Sequence, residues 1–271
     1  MKPFLKPLLN SALKPFDLEI KRRSTDESLL AEFRACAKAK SDLDFLQAMD
    51  GQHAAQIIHL LQKSKSQFRQ DLYVLSQLDF KPNGYFVEFG ATNGVDLSNT
   101  YLMEKEFGWT GILAEPAACW HAQLRQNRGA HIDLDCVWSD SGSTLTFNES
   151  DIPDLSTISR FSDADRHGKF RKSGKTYDVK SISLNDLLEK YDAPMHIDYL
   201  SIDTEGSEFE ILNHFDFSRH TFKVITCEHN FTPMRERIFD LLTGHGYTRV
   251  HPQISGVDDW YVGSDGLIAA V

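Results

Sequence analysis

The sequence predicts an α/β domain whose mostly parallel sheet carries helices on both faces, with a helical extension ahead of it. Three observations lead there. From residue 84 onward, short runs rich in Val, Ile, Phe and Tyr alternate with stretches of helical periodicity. Several of those runs end in glycine or in an acid, as strands do where an open sheet meets a ligand. The chain has 271 residues, 41% hydrophobic and 25% charged, which is enough for one sizeable core.

Residues 1–25 read as a basic arm, with Lys2, Lys6, Lys14, Lys21, Arg22 and Arg23 against Asp17 and Glu19, and with Pro3, Pro7 and Pro15 interrupting it. Such a segment suits weak peripheral contact with an anionic membrane, or packing against the domain. Residues 26–80 read as two or three helices, because apolar positions such as Leu43, Leu46, Ile57, Leu61, Leu72 and Leu75 recur three or four apart. The main domain is expected over 81–271. Its strands fall at 84–90 (GYFVEFG), 110–115 (TGILAE), 131–138 (HIDLDCVW), 197–203 (IDYLSID) and 222–228 (FKVITCE), with helices at 97–107, 117–127, 184–190, 207–213 and 233–243. YTRVH (247–251) and DWYVG (259–263), joined by a short Gly-containing loop, read as an antiparallel pair at the sheet edge. Between the third and fourth strands, 148–176 is polar and irregular, and Arg160, Arg166, Lys169, Arg171, Lys172 and Lys175 outnumber its acids. A long polar insertion in a compact domain is an active-site lid or a flexible loop.

A net charge of -10 argues against nucleic-acid binding, which needs clustered Lys and Arg. No run approaches the roughly 18 apolar residues of a spanning helix, and the first residues lack the pattern of a signal peptide. Cys36, Cys119, Cys136 and Cys227 have neither zinc spacing nor a disulfide framework, so the chain reads as cytoplasmic.

The first strand carries an acid, Glu88, inside an apolar run, where a carboxylate without a partner is costly. The turn that follows is E-x-G-x-x-x-G, with Glu88, Gly90 and Gly94. Thr92 stands where a dinucleotide-binding turn has its second glycine. The turn suits a ligand with an amino-acid end and no phosphate, such as S-adenosylmethionine. Glu115 closes the second strand within roughly 20 residues of the turn, where an acid accepts hydrogen bonds from both ribose hydroxyls.

With these residues placed, the chain resembles the FkbM family of S-adenosylmethionine-dependent methyltransferases from about 66 to 262. FVEFGATNGVDLSNTYLMEKEFGWTGILAEP, VWSDSGSTLTF, IDYLSIDTEGSEFEIL and VITCEHN carry the resemblance. It implies a Rossmann-like class I methyltransferase fold with a seven-stranded sheet. It also implies that Gly90, Thr92 and Gly94 let the backbone approach the cofactor, while Glu88 holds its ammonium end and Glu115 its ribose. Ser98 and Asn99 become polar contacts, or Ser98 a helix cap. Asp140 is either near the adenine or a turn residue of SDSG. Asp203, at the end of the fourth strand, lies near the transferred methyl. Glu205 lines the pocket, and Glu208 faces the helix dipole.

The expected reaction is O-methylation of a small-molecule hydroxyl, on a sugar or glycan precursor by resemblance, or on a polyketide or other secondary metabolite. Lid cations would favour an anionic acceptor. Asp203, Glu228 and His229 are the expected catalytic group, acting as a general base, or Asp203 and Glu228 with His229 or Asn230 hold Mg²⁺. A non-catalytic S-adenosylmethionine-binding module would not need Asp203 and Glu228, and both are present.

Overall fold

The computed structural model describes residues 27–264, so the arm of 1–25 lies outside the described residues. The chain divides into a unit ending at Asp44 and a second from Phe45 onward. The described part of the first is helix α1 (Glu27–Ala48), whose last turn opens the second unit. There α2 (Ala54–Leu60) and α3 (Gln70–Gln77) precede the sheet. No helix among the described residues is long and apolar enough to cross a membrane.

The sheet begins with β1 (Tyr85–Phe89), followed by α4 (Tyr101–Phe107), β2 (Thr110–Ala114), α5 (His121–Asn127) and β3 (His131–Asp133). β1 pairs in parallel with β2, and β2 with β3. A second, four-stranded sheet interrupts the alternation. Its strands are β4 (Cys136–Trp138), β5 (Thr144–Glu149), β6 (Thr157–Ile158) and β7 (Lys175–Ser183), in the order β4-β7-β5-β6. The chain then returns through α7 (Leu184–Lys190), β8 (His196–Ile202), α8 (Glu208–Asn213), β9 (Thr221–Glu228), α9 (Met234–Gly244), β10 (Thr248–Val250) and β11 (Asp258–Val262). The short helix α6 (Gly168–Arg171) lies between β6 and β7.

The main sheet has seven strands in the order β10-β11-β9-β8-β1-β2-β3. It is mixed: β11 runs antiparallel to both β9 and β10, and the other pairings are parallel. β1 has its successor β2 on one side and β8 on the other, so strand order reverses there and the carboxyl ends of β1 and β8 open a crevice.

Alternation along the strands sorts the core into two layers. Val87, Phe89, Leu200 and Ile202 pack with Leu187, Leu212 and Leu242 of α7, α8 and α9. Phe86, Tyr199 and Val224 pack on the other face with Leu72, Leu102 and Leu124 of α3, α4 and α5. Central strands buried on both faces read as continuous apolar runs, which is why the sequence reveals them.

Three expectations are corrected. The run 131–138 is not one strand, because the chain leaves the main sheet after Asp133 and enters the second at Cys136. The stretch 148–176 is not irregular throughout. It holds the end of β5, two 3₁₀ turns at Pro153–Leu155 and Ser159–Phe161, β6, α6 and the start of β7. Helices expected from 97 and 117 begin only at Tyr101 and His121, because the preceding residues are loops anchored by side chains.

Candidate active site

A cavity of about 290 Å³ opens at the carboxyl ends of β1, β2, β8 and β9, roofed by residues 152–158 and by Arg166 and His167. The 150–174 connection is therefore a lid. Its walls include Glu88, Gly90, Thr92, Asn99, Glu115, Asp203, Glu205, Glu228 and Asn230.

Period-two alternation puts Glu88 on the Phe86 face of β1, toward α4 and α5. Its carboxylate, almost wholly buried, accepts hydrogen bonds from Ser98 Oγ (3.0 and 3.2 Å), the Asn99 N–H (2.7 Å) and Thr100 Oγ1 (2.6 Å). Arg128 Nη1 lies 3.6 Å away. The chain itself supplies these donors, and Glu88 also lines the cavity. Glu88 fixes the loop that leads into α4. Ser98 Oγ also accepts from the N–H groups of Thr100 and Tyr101 at the start of α4, which is the capping alternative.

Gly90 has φ +73°, and a Cβ there would lie 1.9 Å from the Asp203 carbonyl oxygen. Only glycine lets the ends of β1 and β8 approach this closely. Gly94 has a different role from the expected one. A Cβ there would meet Arg128 and Leu124 and it does not line the cavity, so it serves the packing of α5.

Glu115 accepts from the Thr92 N–H (2.7 Å) and the Ala117 N–H (2.7 Å), which orient it from two sides. Burial pushes its pKa up to about 7 against those two bonds. Asn99 donates from Nδ2 to Ser201 Oγ (2.9 Å), and its buried Oδ1 has no partner among the described residues. An orphaned acceptor in a cavity wall is a place for a ligand's N–H or O–H. Asp140 is the turn residue of the two alternatives. It accepts from Ser143 Oγ and Ser181 Oγ outside the cavity.

Asp203, Glu205 and Glu228 meet at the floor, with ligand atoms all within 4.8 Å of one another. Asp203 is open to the cavity, while Glu205 and Glu228 are buried. Loss of bulk water raises the Asp203 pKa to about 7, with the Glu208 charge adding to it. Glu228 lies beside Asp203 and is raised well above the ordinary carboxylate range, by burial and then by the Asp203 charge. Two carboxyl groups this close in a buried site resist ionising together. Burial, and then Asp203, also raises Glu205, but Arg171 Nη2 (2.7 Å) and Asn230 Nδ2 (3.2 Å) both donate to its Oε2. The spacing of the three acids suits a divalent cation. Of the three, Glu205 has a cationic partner in Arg171, which it shares with Asp165.

His229 does not join the group. Successive residues at a strand end point to opposite sides, and His229 turns away from Glu228. Its Nδ1 accepts from the Phe231 N–H (3.0 Å), its Nε2 lies 3.7 Å from Asp259 Oδ1, and it is absent from the cavity wall. It is corrected as both catalytic residue and metal ligand, with Glu205 in its place.

Arg171 carries a role that sequence reasoning missed. Fully buried, it donates from Nε to the Leu155 carbonyl (2.6 Å), bidentately to Asp165 (2.9 and 3.0 Å), and to Glu205. Thr157 Oγ1 also donates to the Thr204 and Glu205 carbonyls. The lid is therefore latched to the β8–α8 turn.

The carboxyl-end crevice, the glycine-permitted strand approach and the acid closing β2 lie together at one end of the sheet. The model of the methyltransferase FkbM domain matches residues 88–249, which take in the end of β1, all of β2, β8 and β9, and the lid. Among solved structures, the FkbM methyltransferase of Methylobacillus flagellatus KT is 11% identical, covering 83% of this chain and 59% of that one, with a TM-score of 0.44. The precorrin-6y C5,15-methyltransferase of Geobacter metallireducens GS-15 is 12% identical, covering 66% and 71%, with a TM-score of 0.39. Likenesses at these TM-scores carry no weight, and no curated protein matches significantly. The family model spans more than half of the chain and most of the crevice, and on that match the chain belongs to the FkbM methyltransferase family.

Proposed function

We propose that the protein transfers a methyl group from S-adenosylmethionine to a hydroxyl oxygen of a small molecule, with a sugar or glycan precursor as the favoured acceptor. The observation that carries this reading is the Asp203–Glu228 pair: two neighbouring carboxyl groups at adjacent strand ends, with Asp203 open to the cavity. Methyl transfer to oxygen is an in-line displacement at a sulfonium. It needs the acceptor oxygen held on the axis and its proton removed as the C–O bond forms. A carboxylate with a pKa near 7 is a usable base at neutral pH. In this reading Glu115 accepts from the donor's hydroxyls and the unpartnered Asn99 Oδ1 from its ammonium, since both residues line the cavity. When bound, S-adenosylmethionine supplies the electrophilic methyl, and the residues of this chain bind, orient and take the proton.

The test is incubation with methyl-labelled S-adenosylmethionine and a panel of sugars and nucleotide sugars, followed by mass spectrometry. Label on an acceptor oxygen is expected. Label only on nitrogen or carbon, or donor binding with no transfer to any extract, would overturn the O-methyl reading. Glu115→Ala should weaken donor binding by about 1.5–3 kcal/mol, measured by calorimetry, as loss of hydrogen bonds to a charged group does.

A further inference from the structure

Acids dominate the cavity walls, where Glu88, Glu115, Asp203, Glu205 and Glu228 are joined by Asp96 and Asp154 nearer the mouth. Any carboxylate or phosphate that enters meets a repulsive surface, except at one point. Among the described residues, Arg166 is the one Arg or Lys in the wall. Lys172 is exposed and outside the wall, and the remaining lid cations are committed elsewhere. The Arg160 guanidinium lies 4.2 Å from the Trp138 ring centroid, Lys169 lies over Phe170, and Arg171 is spent on Asp165 and Glu205.

Arg166 is held in place by a continuous chain of hydrogen bonds that starts at the cavity floor. Arg171 joins Glu205 to Asp165, Asp165 Oδ1 accepts the His167 N–H (2.7 Å), and His167 Nε2 accepts from Arg166 Nε (3.1 Å). Because Nε2 accepts, the imidazole is neutral with its proton on Nδ1. The bond from Nε uses one part of the guanidinium. It leaves Nη1 and Nη2, the end-on fork that fits a carboxylate or phosphate, with no protein partner among the described residues.

We propose that Arg166, positioned by His167, is the oxyanion-recognition residue of this cavity and takes a carboxylate or phosphate on its Nη1–Nη2 edge. The proposal rests on the reading of the cavity as a methyl-donor and acceptor site. Two sources carry that chemistry there: the methionine carboxylate of the donor, or an anionic group on the acceptor.

Calorimetry on the full chain and on Arg166→Met and Arg166→Lys distinguishes them. The probes are S-adenosylmethionine, its decarboxylated analogue, and inorganic phosphate titrated into protein saturated with S-adenosylhomocysteine. If the donor carboxylate is the partner, Arg166→Met weakens S-adenosylmethionine by about tenfold or more, Arg166→Lys recovers part of the loss, and the decarboxylated analogue binds all three alike. If the acceptor supplies the anion, donor affinities are equal and phosphate binds the wild type but not Arg166→Met. Equal donor affinities with no Arg166-dependent phosphate binding overturn the proposal. A wild type that does not bind the donor at all overturns the reading of the cavity instead.

Discussion

Removing the Glu88 carboxylate would leave Ser98, the Asn99 N–H, Thr100 and Arg128 facing a void. Breaking a buried charged network by taking one member costs about 3–5 kcal/mol. Glu88→Ala should lower stability by that order in denaturant melts, and should unsettle donor binding through the loop. On the proposed reaction, Asp203 acts chiefly on the rate. Asp203→Asn keeps the shape and removes the base, so turnover should fall by about 10²–10⁴ while donor affinity changes little. The ionised carboxylate is the active form and its pKa is raised to about 7, so the rate should climb as pH rises through that value and drop below it. A flat profile across neutrality would place the base elsewhere. His229→Ala should leave the rate near wild type, since its ring faces Asp259.

Among the elements, the lid is the one whose behaviour turns on a single side chain. Arg171→Met removes the tie to Glu205, Asp165 and the Leu155 carbonyl together. Limited proteolysis should then cut within 159–172 faster, with the strands intact. Unchanged cleavage would mean that Thr157 and β6 hold the lid alone. The sequence could not single out Arg171, because one buried cation among six in a polar loop looks like its solvated neighbours. The same holds for β5 and β7. TLTFNE and KTYDVKSIS are half-exposed, polar-rich strands with no continuous apolar run. By contrast YFVEF, HIDYLSI and TFKVITCE are legible because both of their faces are covered. In HIDLDCVW the apolar signal is continuous while the hydrogen-bond partner changes, and patterning carries no record of partner. The acids that end the strands were legible as a site. Their directions were not, which is why His229 gave way to Glu205.

At the scale of the whole molecule, the buried acids set a pH dependence of stability. Glu115 and Asp203 have folded pKa values near 7 and Asp258 near 8, all raised first by burial, against about 4 in the unfolded chain. Between those limits the folded state holds more protons than the unfolded one, so stability falls as pH rises from about 4 to 8 through these groups. Asp198 works in the other direction: despite its burial, Lys81 and Lys223 depress it, and its contribution is lost only as pH falls through its lowered pKa. Thermal melts of the ligand-free protein should therefore reach their maximum on the mildly acidic side of neutrality. A melting temperature that rises steadily to pH 8 would contradict the assignment of raised values. The carboxylate lining also bears on turnover. On the proposed reaction a sulfonium donor enters with a positive charge that the walls attract, and once its methyl has gone the thioether that remains is one charge poorer. The walls therefore grip the spent cofactor less than the fresh one, and exchange is driven by the reaction's own change of charge. Raising ionic strength should narrow the gap between the two affinities.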